Sequence, residues 1–238
     1  MKILIVNDDS IYAPGIAMLA KAAAQIGETY VVAPSNQCSA MSQKLTLRET
    51  MTVRKKEDFP APVKAAWEVG GTPVDCVKVA LYYLLEEKPD LVLSGINDGY
   101  NAGFDIAYSG TLGAAFEAVR NGIPAIAVSA PSNTHLPAVE SWLVPILQEL
   151  VDAEIGVGEV WNVNFPRMNE CPPIGILRDR IPAHGSLFRE DYQEDVQPDG
   201  SVVLTCRGIP VPDEKLCPGS DGEAVRKGYI SIGKVRAF

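Results

Sequence analysis

The residues of this 238-residue chain best suited to chemistry are two adjacent acids, Asp8 and Asp9, which follow a short apolar run. Neighbouring carboxylates repel each other, and a hard divalent cation is the natural compensation for their charge. The other interpretation of residues 7–10 is a solvated turn that caps the next helix. Taken alone, the acid pair does not distinguish a metal site from such a turn.

Two further polar clusters, residues 34–40 and 94–103, each follow an apolar run that is typical of a strand. The first contains Ser39, and by itself it has the composition of an ordinary polar loop. The second offers the neutral oxygens or amide donors of Asn97 and Asn101, among glycines that allow a ligand close to the backbone. A long turn has the same composition, so both interpretations stay open for each cluster.

The fourth cluster, Tyr108-Ser109-Gly110-Thr111, directly precedes an Ala-rich helix. Small residues at a helix start leave backbone N–H groups free, and the helix dipole adds partial positive charge, which together favour phosphate. Ser109 or Thr111 as a plain N-cap is the alternative. Because ligands bind beyond the carboxyl ends of parallel strands, four clusters at such ends favour a phosphate site more strongly than any one does.

The elements that must position these clusters alternate between strand and helix. Short apolar runs predict buried strands at residues 3–6, 30–33, 90–94, 125–128 and 160–165. Apolar residues at helical spacing predict helices at 16–26, 73–87, 111–121 and 136–151, the last kinked near Pro145. This order predicts an α/β fold with a doubly wound, mostly parallel sheet. Residues 71–73 either begin a helix or border a base pocket.

We expect two regions in the chain. Residues 1–168 would form the metal- and phosphate-binding core, with a half-exposed β-ribbon near 44–56, outside the main sheet, where apolar and polar residues alternate. Residues 169–238 are rich in Pro, Gly and charge, and carry isolated strand-like pieces at 202–205 and 229–232. They would form a smaller β-rich lobe or arm that is useful for oligomerisation.

Composition excludes several classes of protein. A net charge of −9 argues against wrapping a nucleic-acid duplex, which requires clustered Lys and Arg. No stretch approaches the ~20 apolar residues that span a membrane. Without an export signal or a C-x-x-C pair, the five cysteines are expected to be reduced and the protein cytoplasmic.

Other chemistries lack their motifs. Neither G-x-G-x-x-G nor the P-loop pattern is present. His135 and His184, the only histidines, lack ligand spacing, which disfavours a zinc site or a Ser-His-Asp triad, and His184 is expected at the surface. Oxygen-rich, histidine-poor ligation favours one divalent ion, magnesium or manganese.

With these segments assembled, the chain resembles the SurE family, the survival-protein-E nucleotidases, in order along its entire length. The opening N-D-D-G of the family is matched by residues 7–10 apart from Ser10, and its Y-S-G-T-x-G-A-A by residues 108–115. Further matches are its A-P-to-serine loop, its S-G-I-N-x-G-x-N loop and its closing patterns, at 33–39, 94–101, 220–224 and 228–232, with family-like segments at 71–77 and 162–166.

The resemblance implies a Rossmann-like core with a swapped C-terminal arm that forms homodimers or homotetramers. It implies a 5′-nucleotidase, an acid-phosphatase-like phosphoric monoester hydrolase acting on nucleoside 5′- and 3′-monophosphates; some members of the family also trim short polyphosphate. Carried over by position, the implied metal ligands are Asp8, Asp9, Ser39 and Asn97.

The expected mechanism combines the acid pair with the helix start. Asn101, Ser109 and Thr111, with the Gly110 amide, would hold the non-bridging phosphate oxygens as a metal-activated water attacks phosphorus. The alternative is attack by one Asp carboxylate, which would form an aspartyl-phosphate.

Three departures from the family pattern affect these expectations. Ser10 and Ala40 replace family glycines, and Gly233-Lys234-Val235 replaces the usual T-P-L. If either of the first two positions requires a positive φ, its side chain costs roughly 1 kcal/mol or more.

Two functions from other classes stay open. A phospho-receiver domain also binds Mg²⁺ with acids after its first strand, but it needs a phosphorylatable Asp after the third strand, where this chain has Asn97. It also needs a Lys after a later strand, for which no convincing candidate exists. A nucleotide-binding regulatory module without turnover is the other alternative.

Overall fold

A computed structural model describes residues 1–131, 136–167 and 172–237. His135 and the predicted boundary at residue 168 lie outside these ranges. Within them, no helix has the length and apolar character needed to cross a membrane.

Eleven strands are present in the described ranges. In chain order they are β1 (Lys2–Val6), β2 (Glu28–Pro34), β3 (Val53–Lys55), β4 (Ala65–Val69), β5 (Leu91–Asp98), β6 (Ala125–Ala130), β7 (Glu159–Asn164), β8 (Ile176–Arg180), β9 (Phe188–Val196), β10 (Val202–Pro210) and β11 (Ile230–Arg236). Nine of them form one sheet in the order β3-β4-β2-β1-β5-β6-β7-β11-β8, whose six strands from β4 to β7 run parallel. The predicted doubly wound, mostly parallel α/β fold is confirmed.

Helices cover both faces of this sheet. They are α1 (Pro14–Ala23), α2 (Pro73–Val79), α3 (Gly110–Arg120), α4 (Leu136–Asp152) and α5 (Asp221–Arg226). One buried cluster joins α1 and α4 to Ile3 and Ile5, and a second joins α2 and α3 to Leu4 and Val6. Side chains of β1 therefore pack on both faces, which explains its uninterrupted apolar sequence.

The segment predicted as one helix at 73–87 is only partly α-helical. Helix α2 ends at Val79, and a π-helical turn, Ala80–Leu84, completes the segment. At its start, Thr72 is the N-cap and forms a capping box with Asp75, so residues 71–73 begin a helix.

The region near 44–56 differs from the predicted separate ribbon. Residues 44–52 contain no strand, while β3 pairs antiparallel with β4 at the edge of the main sheet. Strand β4 was not anticipated because buried Glu68 interrupts its apolar pattern. The Glu68 carboxylate accepts hydrogen bonds from Tyr12 Oη at 2.5 Å and Arg54 Nη1 at 3.1 Å, which compensates its burial.

The C-terminal region contributes to two structures. Strands β8 and β11 extend the main sheet, whereas β9 and β10 form a separate antiparallel hairpin whose residues are almost all exposed. The strand-like pieces at 202–205 and 229–232 fall largely within β10 and β11. The division of the chain at residue 168 stays a prediction.

Candidate active site

The four polar clusters meet where the strand order reverses, with β2 on one side of β1 and β5 on the other. Ligands of doubly wound folds bind at such a switch point. An open cleft of about 190 Å³, called the catalytic cleft below, lies there and is lined by Asp8, Ser39, Ala40, Asn97, Asp98, Gly99, Tyr100, Asn101, Asp105, Tyr108 and Ser109. Predicted residues from all four clusters thus share one site.

Asp8 is the most buried acid of the cleft, with only 3% of its surface exposed. Its Oδ1 accepts a hydrogen bond of 2.6 Å from Thr111 Oγ1 at the start of α3. Burial raises the pKa of Asp8 to about 6, and the charge of Asp9 adds to this rise, while the Thr111 hydrogen bond opposes it. A cation beside this carboxylate would offset both the burial of its charge and its repulsion by Asp9.

Asp9 connects the loop after β1 to the end of β5. Its Oδ2 accepts the backbone N–H of Asp98 at 2.8 Å. Burial is the main cause that raises the pKa of Asp9, the Asp98 charge acts in the same direction, and hydrogen bonds from the Asp98 amide and Gln37 oppose them. Asp9 does not itself line the cleft, but it brings a second carboxylate next to Asp98, which does.

Ser39 and Asn97, the other two implied ligands, lie on the walls of the same cleft. Asn97 Nδ2 donates to the Gly99 carbonyl at 3.0 Å, so its amide oxygen is the atom suited to a cation. No cluster of three or more His, Cys, Asp or Glu side chains that could hold a metal occurs among the described residues. Two carboxylates with hydroxyl and amide oxygens fit a hard cation such as Mg²⁺ or Mn²⁺.

The start of α3, residues 109–111, is called the phosphate seat below. Ser109 is the N-cap, and its Oγ accepts the Leu112 N–H at 3.1 Å. As the N-cap, Ser109 uses its Oγ only as an acceptor, so its O–H stays available as a donor. Ser109 can therefore cap the helix and also donate to a phosphate. A Cβ on Gly110 would lie 2.9 Å from Asp8 Cβ, so a glycine is required for this helix start to approach the acid pair.

Asn101 lies in the cleft but is held firmly by strands β6 and β7. Its Nδ2 donates to Ser129 Oγ at 2.9 Å, which leaves one of its two amide protons for a ligand. Its backbone N–H donates to Asn164 Oδ1 at 2.9 Å, and its carbonyl accepts from the side chains of Asn162 and Asn164.

The supporting roles of Ser129, Asn162 and Asn164 were missed from sequence. All three are buried at the carboxyl ends of apolar strands. A polar residue inside a run that is otherwise typical of a buried strand must find a partner, and this was the available signal.

Both positions where a side chain replaces a family glycine adopt a positive φ. The φ angle is 90° at Ser10 and 57° at Ala40. Ala40 lines the catalytic cleft, and Ser10 directly follows the acid pair, where Asn7 Nδ2 donates to its carbonyl at 2.7 Å. The chain therefore keeps a backbone suited to glycine at two places beside the site.

The fold and the cleft define a class of protein, a doubly wound α/β protein with oxygen donors and the start of a helix at its switch point. Comparison with known families narrows this class. Residues 3–179 match the family described as Survival protein SurE. The chain belongs to the SurE family.

Named relatives cover nearly the whole chain. A Synechococcus protein named 5′-nucleotidase SurE is 40% identical, covering 98% of this chain and 90% of that protein. A Chlamydia caviae protein named 5′-nucleotidase SurE 2 is 44% identical, covering 100% of this chain and 85% of that protein. The crystal structure of a SurE protein from Aquifex aeolicus superposes with a TM-score of 0.84 at 33% identity, covering 100% of this chain and 94% of that chain.

Proposed function

We propose that this protein hydrolyses nucleoside 5′- and 3′-monophosphates to a nucleoside and phosphate, with one Mg²⁺ or Mn²⁺ held by the acid pair. At the coarser level it is a phosphoric monoester hydrolase of the 5′-nucleotidase class, as its family membership indicates. The observation that carries the finer proposal is the 2.6 Å hydrogen bond between Thr111 and Asp8, because it joins the phosphate seat directly to the acid pair.

Asp8 and Asp9 would hold the cation, with the Ser39 hydroxyl and the Asn97 amide oxygen completing the protein ligands. When bound, the cation supplies positive charge against the phosphoryl oxygens and lowers the pKa of water. Asp98 and Asp105 also line the cleft, and a cation held there would offset their charge towards a phosphate dianion.

The chain's own groups orient the phosphate. The backbone N–H groups of Gly110 and Thr111 belong to the first turn of α3, which has no intrahelical acceptors for them. Together with the Ser109 O–H and the remaining Asn101 amide proton, they can donate to the non-bridging oxygens as negative charge shifts onto them. These donors are already fixed by the contacts of Ser109 and Asn101, so little reorganisation is required.

Water is the proposed nucleophile. Its oxygen forms a bond to phosphorus, the P–O ester bond breaks, and one proton of the water ends on the leaving alcohol. Both acids are already engaged, Asp8 with Thr111 and Asp9 with the Asp98 amide, which disfavours either carboxylate as the attacking group. The stereochemistry at phosphorus distinguishes the two routes. Direct attack by water should invert an isotopically chiral phosphoryl group, and net retention would establish the aspartyl-phosphate route instead.

The main test is phosphate release from AMP with added Mn²⁺. EDTA should abolish it, and Asp9→Asn should reduce kcat/KM by at least about a hundredfold. Asp152→Asn, which changes an exposed acid at the end of α4, is the matched control and should retain the parent rate.

Full activity with EDTA or in Asp9→Asn would contradict the metal assignment. Repeated turnover by the parent protein excludes the receiver and regulatory-module alternatives, since neither releases more than one phosphate per protein. Adding 3′-AMP and short polyphosphate to the panel tests the substrate range, which stays a prediction, as does a cytoplasmic location.

We also propose that the β9–β10 hairpin forms the interface through which this chain assembles into homodimers or homotetramers. Both strands expose apolar side chains to solvent, and Tyr192, Val196 and Leu204 are each more than half exposed. An extended apolar surface of this kind is typical of a protein interface. Sedimentation velocity of the full chain measures the assembly, and a single monomeric species would contradict the proposal.

A further inference from the structure

Two tyrosines line the catalytic cleft beside the phosphate seat. Tyr108 immediately precedes Ser109, and its side chain is 64% exposed. Tyr100 is half-buried on the same cleft, and its Oη accepts the backbone N–H of Arg167 at 3.1 Å. Exposed aromatic side chains occur elsewhere in this chain, but Tyr108 presents its ring at the cleft, directly beside the phosphate seat.

No other side chain of the described residues covers either ring by stacking. Their single stacked aromatic pair is Tyr30 with Trp67. The cations that lie over rings are placed on Tyr12, Tyr82, Phe188 and Trp161. The face of Tyr108 is thus free to receive a planar ligand.

The backbone beneath Tyr108 is fixed although its side chain is exposed. The Ser42 N–H donates to the Tyr108 carbonyl at 2.9 Å, and Ser42 Oγ donates to the Ala107 carbonyl at 2.9 Å. Residues 103–108 also form a 3₁₀ turn that leads directly into the N-cap of α3. Only the two side-chain torsions of Tyr108 then remain to be ordered when a ligand stacks on its ring.

Tyr108 directly precedes the phosphate seat in the sequence. Tyr108 and Gly110 are two residues apart, so their Cα atoms are separated by at most about 7 Å. A phosphate bound at the seat would therefore leave the rest of a nucleotide close to the residue that carries the ring. The remaining cleft carries Asp98 and Asp105, whose charge disfavours a second phosphate and is compatible with the N–H donors of a base.

The other candidate for a base pocket, at residues 71–73, is already occupied by local structure. Thr72 Oγ1 donates to the Lys44 carbonyl at 2.6 Å and takes part in the α2 capping box. None of these residues lines the catalytic cleft.

We infer that Tyr108 is the stacking platform for the nucleobase of the substrate. The inference rests on the proposed function, because it assumes that the scissile phosphate lies at residues 109–111. It adds a reason for choosing nucleotides over other phosphate esters, since glycerol phosphate offers nothing to stack on Tyr108.

The test compares KM for AMP with KM for glycerol 2-phosphate, both measured with Mn²⁺. In Tyr108→Ala the ratio of AMP KM to glycerol 2-phosphate KM should rise about 5- to 100-fold, the loss expected for one base–aromatic stack. Tyr108→Phe keeps the ring and should keep the parent ratio. Tyr83→Ala removes a tyrosine that is 78% exposed elsewhere, and should also keep it.

An unchanged ratio in Tyr108→Ala would overturn the inference, as would an equal rise of both KM values, which would indicate damage to the phosphate seat. A shift of Tyr108→Ala to a smaller assembly with an unchanged ratio would assign the ring to a protein interface instead.

A second measurement separates this inference from the proposed function. Calorimetric titration with adenosine reads the base contact without turnover, and Tyr108→Ala should weaken adenosine binding relative to Tyr108→Phe. Weakened adenosine binding in a protein that hydrolyses no ester would retain the base site and reject the proposed function. Equal adenosine affinity in the two variants would reject the base site, whatever the catalytic rate.

Discussion

The catalytic cleft and the β9–β10 hairpin differ in the burial of their side chains. Asp8 and Asn101 line the cleft but are largely buried, and each is hydrogen-bonded within the chain, Asp8 to the fully buried Thr111 and Asn101 to Ser129. Along the hairpin nearly every side chain is exposed, including large apolar ones. Since buried polar groups must be paired, the cleft is organised by the chain itself, whereas the hairpin lacks a covering surface.

The two regions are connected through one buried carboxylate. Asp221 Oδ2 accepts the Gly103 N–H at 3.0 Å, and its Oδ1 accepts the N–H groups of Ala183 at 2.9 Å and Gly222 at 2.7 Å. Ala102 packs in the same place against Leu187, one residue before β9 begins. The base of the hairpin therefore supports the segment that carries Asn101.

The largest expected effect concerns the contact between the phosphate seat and the acid pair. Gly110→Ala would place a Cβ 2.9 Å from Asp8 Cβ and 3.2 Å from the Cys38 carbonyl, so the helix start must move. We expect kcat/KM for AMP to fall by about a hundredfold or more, as for the loss of an oxyanion donor. Steady-state assays with Gly185→Ala, whose added Cβ meets open space, provide the control.

A smaller effect is expected when the link between cleft and hairpin is weakened. Asp221→Asn leaves one buried N–H without its acceptor, which should cost about 1–3 kcal/mol of unfolding free energy. Urea unfolding measures this cost, and the kcat of AMP hydrolysis shows whether Asn101 is displaced. Asp213→Asn is the control because its side chain is 72% exposed. If both variants unfold like the parent, Asp221 is not a link.

A substitution on the β9–β10 hairpin should change the oligomeric state of the protein rather than the stability of its fold. Leu204→Glu places a charge on a side chain that is 55% exposed within one chain, so the free energy of unfolding of the monomer should change by less than about 0.5 kcal/mol. Sedimentation velocity should nevertheless show a smaller assembly. Retention of the parent assembly would show that this face of the hairpin is not the interface.

The smallest expected effect tests the strained backbone beside the cleft. Ala40 adopts a φ of 57°, so Ala40→Gly should stabilise the fold by up to about 1 kcal/mol. Ala17→Gly, the same change inside α1, should destabilise it by a similar amount. Thermal unfolding of the two variants should therefore shift in opposite directions, and a parallel shift would show that Ala40 is not strained.

Sequence patterns predicted the elements whose burial is uniform. Strand β1 is apolar throughout because both of its faces are covered. The end of this apolar run therefore indicated that the acid pair lies at the carboxyl end of the sheet. Strand β4 could not be predicted from its sequence, because it contains the charged residue Glu68. The partners that allow Glu68 to be buried, Tyr12 and Arg54, are distant in the sequence. Long-range compensation of this kind leaves no local pattern.

The candidate site shows the same limit. Its clusters were visible because loops after strands carry unusual polar residues, and the family glycines predicted where positive φ would matter, at Ser10 and Ala40. The partners that fix Asn101 were not visible, since Asn162 and Asn164 read as members of a buried strand. Only tertiary structure reveals which buried polar residue meets which.

Direct titration with Mn²⁺ tests, without any turnover, whether the acid pair anchors a divalent cation at the switch point. Calorimetry should show one Mn²⁺ site per chain in the parent protein and in Asp152→Asn. In Asp9→Asn the affinity should fall by at least about a hundredfold, since a ligand carboxylate has lost its charge. Equal Mn²⁺ affinity in Asp9→Asn and in the parent would contradict the account.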